Sequence, residues 1–192
     1  MTGVTGPVPG ERALIRAAAA GDEAAFRVLV ERHTPSMLRY ARRLVADPAD
    51  AEDAVQEALI GVWRGLDGFR GDASLRTWLF TLTSRRATDL ARRAARRPPV
   101  VVVGPERLSD VAVRGESTAD PFSDAVAADL VVALDAALRE LPVGQRAVWL
   151  LREVERLSYE QIAVVVGTSV TVVRGRLARA RPALAERMAA WR

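Results

Sequence analysis

What most constrains this chain is a series of helix-start signals, each ahead of a segment whose apolar residues recur every three or four positions. Asp22 is placed to cap a helix running to about Arg32. Thr34-Pro35 sets a capping hydroxyl before a proline at a first helical position, which predicts a second helix to about Val45. Asp47-Pro48 repeats the device, and behind it Ala51, Ala54, Val55, Ala58, Leu59, Val62, Trp63 and Leu66 form one stripe. Gly65, Gly68 and Gly71 break that pattern into a loop, and Ser74 can cap a helix from Leu75 to about Arg96. Pro98-Pro99 stops it, because the residue before a proline avoids the helical region.

Helical spacing resumes at Phe122 and continues through Val126, Leu130, Leu134 and Leu138. Pro142 opens a helix to about Glu155, and Ser158 with Gln161 forms a capping box for a short helix ending at Val166. Gly167-Thr168-Ser169 then turns the chain into a long last helix, which Pro182 should kink or restart. The pattern predicts an all-α protein of two small helical domains, 1–97 and 122–192, the second a helix-turn-helix. Residues 98–121 read as an extended linker, with Val100–Val103 as a short strand-like run.

Composition fits this picture and narrows the function. Apolar residues make up 49% of the 192, yet aromatics only 5%, so the cores rest on Ala, Leu and Val and on close helix contacts. With no Cys there are no disulfides or thiolate metal sites. His33, the single histidine, has no nucleophile placed with it and reads as a surface or helix-end residue. No glycine-rich phosphate loop and no metal-spaced cluster is present, so neither catalysis nor a cofactor is expected. The first ten residues lack the basic-then-apolar pattern of a secretory signal, and no apolar run approaches ~20 residues. A soluble, cytoplasmic protein without membrane insertion is expected.

Charge is strongly segregated. Residues 74–97 carry seven Arg against one Asp, whereas 47–57 carry five acids and no base, which points to one anionic and one cationic partner. In the helix-turn-helix, Ile162, Ala163 and Val166 can meet Val170, Val173 and Leu177 in a small core. Thr171, Arg174, Gly175 and Ala178 then face outward, with Arg176, Arg179 and Arg181 flanking. That is the disposition of a recognition helix, whose Arg side chains can pair with guanine and whose small residues allow close approach. The same face also fits a merely solvated Arg surface, or an operator-binding dimer.

On the helix from Leu75, Thr77, Thr81, Ser84, Arg85, Thr88 and Arg92 recur at spacings of three and four, mixing hydroxyls with guanidinium groups as a phosphate-following surface would. Phe69 and Trp78 lie near it; either could stack on unpaired bases, although core packing suits Trp78 better. On the helix from Pro48, Asp53, Gln56 and Glu57 form an outward acidic stripe able to receive a basic partner helix.

These segments resemble the extracytoplasmic-function group of the sigma-seventy family. PADAEDAVQE (48–57) is similar to the acidic helix of the family's second conserved region, and FRGDASLRTWL (69–79) followed by ATDLARR to its continuation. ELPVGQRAVWLLREVERLSYEQIA and SVTVVRGRLARAR, within 140–181, resemble the fourth region. The resemblance implies a factor that brings core RNA polymerase to promoter DNA and helps open it. It places Asp53, Gln56 and Glu57 on the clamp helices of the polymerase's largest subunit, and implies the flap of the second-largest subunit as a further contact. It places Phe69, Arg70, Ser74, Thr77, Thr81, Ser84, Arg85, Thr88 and Arg92 at the −10 element. Thr171, Arg174, Gly175, Ala178 and Arg179 would read the −35 element, with Arg146 and Tyr159 near its phosphates. It further implies an anti-sigma protein as inhibitor. Arg85 stands where family members often have Asn, and Thr171-Val172 and Gly175 where they often have Gly-Thr and Ser. The promoter sequence therefore does not follow from the resemblance.

Overall fold

A computed structural model describes residues 10–96 and 121–191. The expected linker, including Val100–Val103, lies outside the described residues. Every regular element among them is helical.

The N-terminal body is built from α1 (Glu11–Ala19), α2 (Glu23–Leu44), α3 (Pro48–Gly65) and α4 (Leu75–Arg96). Three of the expected caps are in place. Asp22 accepts from the backbone N–H of Ala24 and Ala25, Asp47 from that of Ala49, and the Ser74 hydroxyl from that of Thr77.

Two expectations are corrected. The break at Thr34-Pro35 does not occur: α2 runs straight past it, with Leu29, His33, Met37, Tyr40, Ala41 and Leu44 forming one buried stripe across the site. Proline removes one intrahelical hydrogen bond, and the apolar packing on both sides of exposed Pro35 outweighs that loss. His33 is not a surface residue. It is buried, with Nε2 2.8 Å from Oε1 of Glu11, itself buried at the start of α1. Helix α1 carried no start signal in the sequence, since its first residue is held by this hydrogen bond and Gly10 offers no capping side chain.

The core between α2, α3 and α4 centres on Met37, Tyr40, Leu44, Leu66 and Phe80. The Tyr40 and Phe80 rings meet edge to face at 5.4 Å, and α3 buries Ala51, Ala54 and Ala58.

The C-terminal body comprises α5 (Pro121–Arg139), α6 (Val143–Trp149), α7 (Tyr159–Val165) and α8 (Val170–Arg187). The helix expected to reach Glu155 does so by widening into a π-helical turn at Leu150–Val154, closed by the Glu155 N–H on the Leu150 carbonyl at 3.0 Å. The capping box is formed in both directions, Gln161 N–H to Ser158 Oγ at 3.1 Å and Ser158 N–H to Gln161 Oε1 at 2.8 Å. The last helix does not restart at Pro182; Ala180 and Leu184, buried on either side, carry it through to Arg187.

The two bodies dock, with α4 lying against α6 and α7. Arg76 of α4 donates to the Glu155 carbonyl at 2.8 Å and to its Oε2 at 2.5 Å. Arg43 of α2 donates to Asp135 of α5 at 2.8 Å. Glu155 is buried, and its desolvation raises the carboxyl's pKa although Arg76, Arg39 and Arg43 all pull it down.

Candidate nucleic-acid interface

The helix-turn-helix is assembled from α7 and α8, set at 99° to one another. Gly167, at φ 62°, makes the left-handed residue that the tight turn needs. Ile162, Ala163, Val165, Val173 and Leu177 are buried between the two helices. Val166 and Val170, expected in this core, lie at its edge, and Val165 takes the central place instead.

This packing fixes which face of α8 looks outward. Thr171, Arg174, Ala178 and Arg179 are all exposed and Gly175 is half-buried between them. A Cβ added at Gly175 would meet only the Arg179 guanidinium, at 3.8 Å, so nothing in the fold demands glycine there. Arg174 lies 5.5 Å from the Tyr159 ring centroid and Arg152 lies 4.8 Å from the same ring, which holds two cations at the entrance of the recognition helix. Arg174 and Arg179 have no ion-pair partner among the described residues. Arg181 differs, because Glu153 takes its Nε and Nη2 at 3.2 and 2.8 Å. Arg146 is half-buried on α6, where burial and nearby Arg139 lower its pKa and its Nε has no hydrogen-bond partner. A cation so placed would gain from an anion.

On α4 the expected polar stripe divides. Thr77 is buried and shares a 2.9 Å hydrogen bond with Ser74 Oγ. Thr81 Oγ1 donates back to the Thr77 carbonyl at 2.8 Å. Ser84 is buried and accepts from Tyr40 Oη at 2.9 Å, within the N-terminal core. Thr88 is half-buried, while Arg85 and Arg92 are exposed and without ion pairs among the described residues. The hydroxyls turn into the protein and the guanidinium groups stay outside. They border a cleft of about 250 Å³ whose opposite wall is the end of α7 and its turn, Val164 to Gly167, together with Gly144 and Ala147 of α6 and Arg176 of α8.

In the loop before α4, Phe69 is half-buried and stacks on Trp78, with centroids 5.2 Å apart and planes 17° apart. Arg70 is exposed beside Asp72 at 3.2 Å.

Asp53, Gln56 and Glu57 stand exposed on α3 as expected, but Glu57 also takes Arg86 of α4 at 2.8 Å. The same face continues into apolar side chains that the sequence reading missed. Ile60 is 50% exposed and Trp63 40%, the latter tilted against Phe26 at 4.7 Å. Trp63 had been placed on the core stripe; Ile60, seven residues after Asp53 and hence on the acidic face, was the available signal.

The sigma-70 region 2 family matches residues 29–97 and the sigma-70 region 4 family residues 132–184. RNA polymerase sigma factor CnrH of Cupriavidus metallidurans is 35% identical over 181 residues, covering 93% of this chain and 94% of that protein. The ECF RNA polymerase sigma-E factor of Escherichia coli is 32% identical over 176 residues, 91% of this chain and 92% of that one. The structure of CnrH in complex with the cytosolic domain of CnrY superposes with a TM-score of 0.67 at 28% identity, covering 94% of this chain and 98% of that one. The sigma factor RpoE bound to the anti-sigma factor NepR, from Bartonella quintana, shares the fold at a TM-score of 0.63 and 23% identity, over 87% of this chain and 98% of that one. With relatives above 30% identity along nearly its whole length, the chain belongs to the extracytoplasmic-function group of sigma-70 factors, which direct RNA polymerase to initiate at specific promoters.

Proposed function

We propose that residues 1–97 form the unit that holds polymerase and the −10 element, that 98–121 link it to the rest, and that 122–192 read the −35 element. The observation that carries this reading is the outward face of α8, where Thr171, Arg174, Ala178 and Arg179 stand exposed over the buried Val173–Leu177 seam. Their side chains sit where a recognition helix meets base edges. Arg146 and Tyr159 flank that face and suit the adjoining phosphates. Arg85, Arg92 and Arg70 supply the −10 contacts. Thr77, Thr81 and Ser84 act there by shaping α4, since their hydroxyls are bonded inside the protein. Asp53, Gln56 and Glu57 dock the clamp helices of the largest polymerase subunit, and Ile60 and Trp63 extend that face with apolar area.

The factor works in the cytoplasm and contributes no catalytic centre of its own. No single helix among the described residues is long and apolar enough to cross a membrane. An anti-sigma protein binds it, a reading supported by the complexes of CnrH with the cytosolic domain of CnrY and of RpoE with the anti-sigma factor NepR.

Binding of labelled protein to core RNA polymerase tests the reading, with the Asp53→Lys/Glu57→Lys double variant as control. Tight binding that the folded double variant loses supports it. Absence of binding by the wild-type protein overturns it.

A further inference from the structure

A cavity of about 720 Å³ opens between helix α1, the 69–75 loop and the start of α7. Its loop wall carries Arg70, a residue of the proposed −10 surface. Its other wall is α1, which the family resemblance did not touch, and that wall carries Arg12 and Arg16. The two are exposed, one helical turn apart, and without an ion pair among the described residues. Side chains four residues apart on a helix are neighbours on one face.

Helix α1 is fixed rather than loosely attached. Glu11 is buried and bonded to His33 at 2.8 Å, and Ala18 is buried against the core, with Ile15 half-buried between them. The acidic groups on the cavity lining are Glu11, Asp72 and Glu160. Glu11 is engaged with His33 and Asp72 with Arg70. Glu160 belongs to α7 in the other body. The N-terminal body alone therefore presents Arg12 and Arg16, neither in an ion pair among the described residues, and Arg70, which Asp72 shares, around one concave surface beside Phe69.

We propose that Arg12 and Arg16 of α1 form a phosphate clamp for the single strand that the 69–75 loop takes from the opened −10 region. This rests on the reading of that loop as a −10 contact. The chemistry is that of a strand threading between two basic walls: the loop side sets the position of a base, and the α1 side holds the backbone on either side of it. Two guanidinium groups one turn apart suit successive phosphates of an extended strand, and they carry no base preference.

The test uses the full-length protein bound to core polymerase. The probe is a premelted fork of the promoter that this holoenzyme selects from a random library, with a −35-only duplex as control. The Arg12→Ala/Arg16→Ala variant should bind the fork roughly tenfold more weakly, and the slope of log affinity against log salt should become shallower by about 1.4, two single-strand phosphates' worth. Binding to the −35 duplex should be unchanged, and Arg12→Lys/Arg16→Lys should keep most of the slope.

Wild-type affinity and slope in the double alanine variant, with Arg70→Ala weakened, would overturn the clamp and leave the −10 reading standing. If Arg70→Ala also binds the fork normally, the −10 reading itself has failed. A parallel fall on fork and duplex, with a lower melting temperature, would make α1 a purely structural element and equally overturn the clamp.

Discussion

Helices α4 and α8 have the same kind of sequence, a polar and Arg-rich face repeating every three or four residues, and the fold uses them differently. On α8 the polar face stays outside throughout, because the opposite face is filled by Val173, Leu177, Ala180 and Leu184. On the α4 stripe Thr77, Thr81 and Ser84 are drawn into internal hydrogen bonds, whereas Arg85, Thr88 and Arg92 border the other body. A Ser or Thr hydroxyl can satisfy itself on a carbonyl one turn back or on a buried tyrosine. A guanidinium has five donors and a fixed charge and can rarely be buried so completely. Interleaved hydroxyls therefore say little about which face is wet, and arginines say more.

The comparison is tested most severely at the contact that puts α4 against the second body. Arg76→Ala leaves Glu155 without its two hydrogen bonds. Removing one partner of a buried ion pair costs about 3–5 kcal/mol when the other charge stays buried. Here the two bodies can separate and let water reach Glu155, so the loss should appear as undocking. Small-angle scattering should show a larger radius of gyration with the helix content unchanged. A compact molecule with a markedly lower melting temperature would place Arg76 within the N-terminal fold instead.

Ser84→Ala and Arg85→Ala, adjacent on α4, separate the two uses of the polar stripe. Loss of the Ser84 acceptor leaves Tyr40 Oη buried and unpaired, at about 1–3 kcal/mol. Thermal unfolding should register it, while promoter affinity per folded molecule holds. Arg85→Ala should change stability by less than about 0.5 kcal/mol, as for most surface substitutions, and should weaken promoter binding in a salt-dependent way. Exchange of these two outcomes would mean that the hydroxyl face reads DNA after all.

The sequence displayed these differences unevenly. Caps at Asp22, Asp47, Ser74 and Ser158 were legible because each is a contact within four residues. The helix-turn-helix core was legible because the tight turn at Gly167 leaves the apolar faces of two successive helices little choice of partner, although Val166 and Val170 lie at its edge and Val165 at its centre. Pro35 misled, and Pro182 does not restart its helix, because a proline's cost is local, whereas the packing that outweighs it comes from other helices. Helix α1 was invisible since its anchor, Glu11 on His33, spans 22 residues. The outward face of Trp63 depends on Phe26 of α2, and the inward face of Ser84 on Tyr40. Neither pairing leaves a mark in the spacing of its own helix.

Gly175 gives a smaller effect of opposite sign on the two properties. Glycine within a helix is about 1 kcal/mol less favourable than alanine. The added Cβ at this position meets nothing but the Arg179 guanidinium at 3.8 Å. Gly175→Ala should therefore raise the melting temperature while reducing affinity for the −35 duplex, whose base edges the bare backbone approaches. A more stable variant that binds as well as the wild type would remove Gly175 from the reading face and leave Arg174 to carry it.

The smallest effect expected is a pH dependence of docking, set by Glu155. Burial raises its carboxyl pKa in the docked state, more strongly than Arg76, Arg39 and Arg43 lower it. Between the ordinary glutamate value, about 4.3, and the raised one, the docked molecule holds a proton that the open molecule has released. By linkage, the contribution of this group to docking is complete below the ordinary value and is lost as pH rises through the raised one. A distance-sensitive pair of fluorophores, one on each body, should report weaker docking as pH increases across that window. Glu155→Gln should flatten the profile, because an amide keeps a hydrogen-bonding group and has no proton to lose. Docking that instead strengthens as the carboxyl ionises would mean that the Arg76 bond to Oε2 and the attraction of Arg76, Arg39 and Arg43 outweigh desolvation, and that α4 is held to the second body by charge.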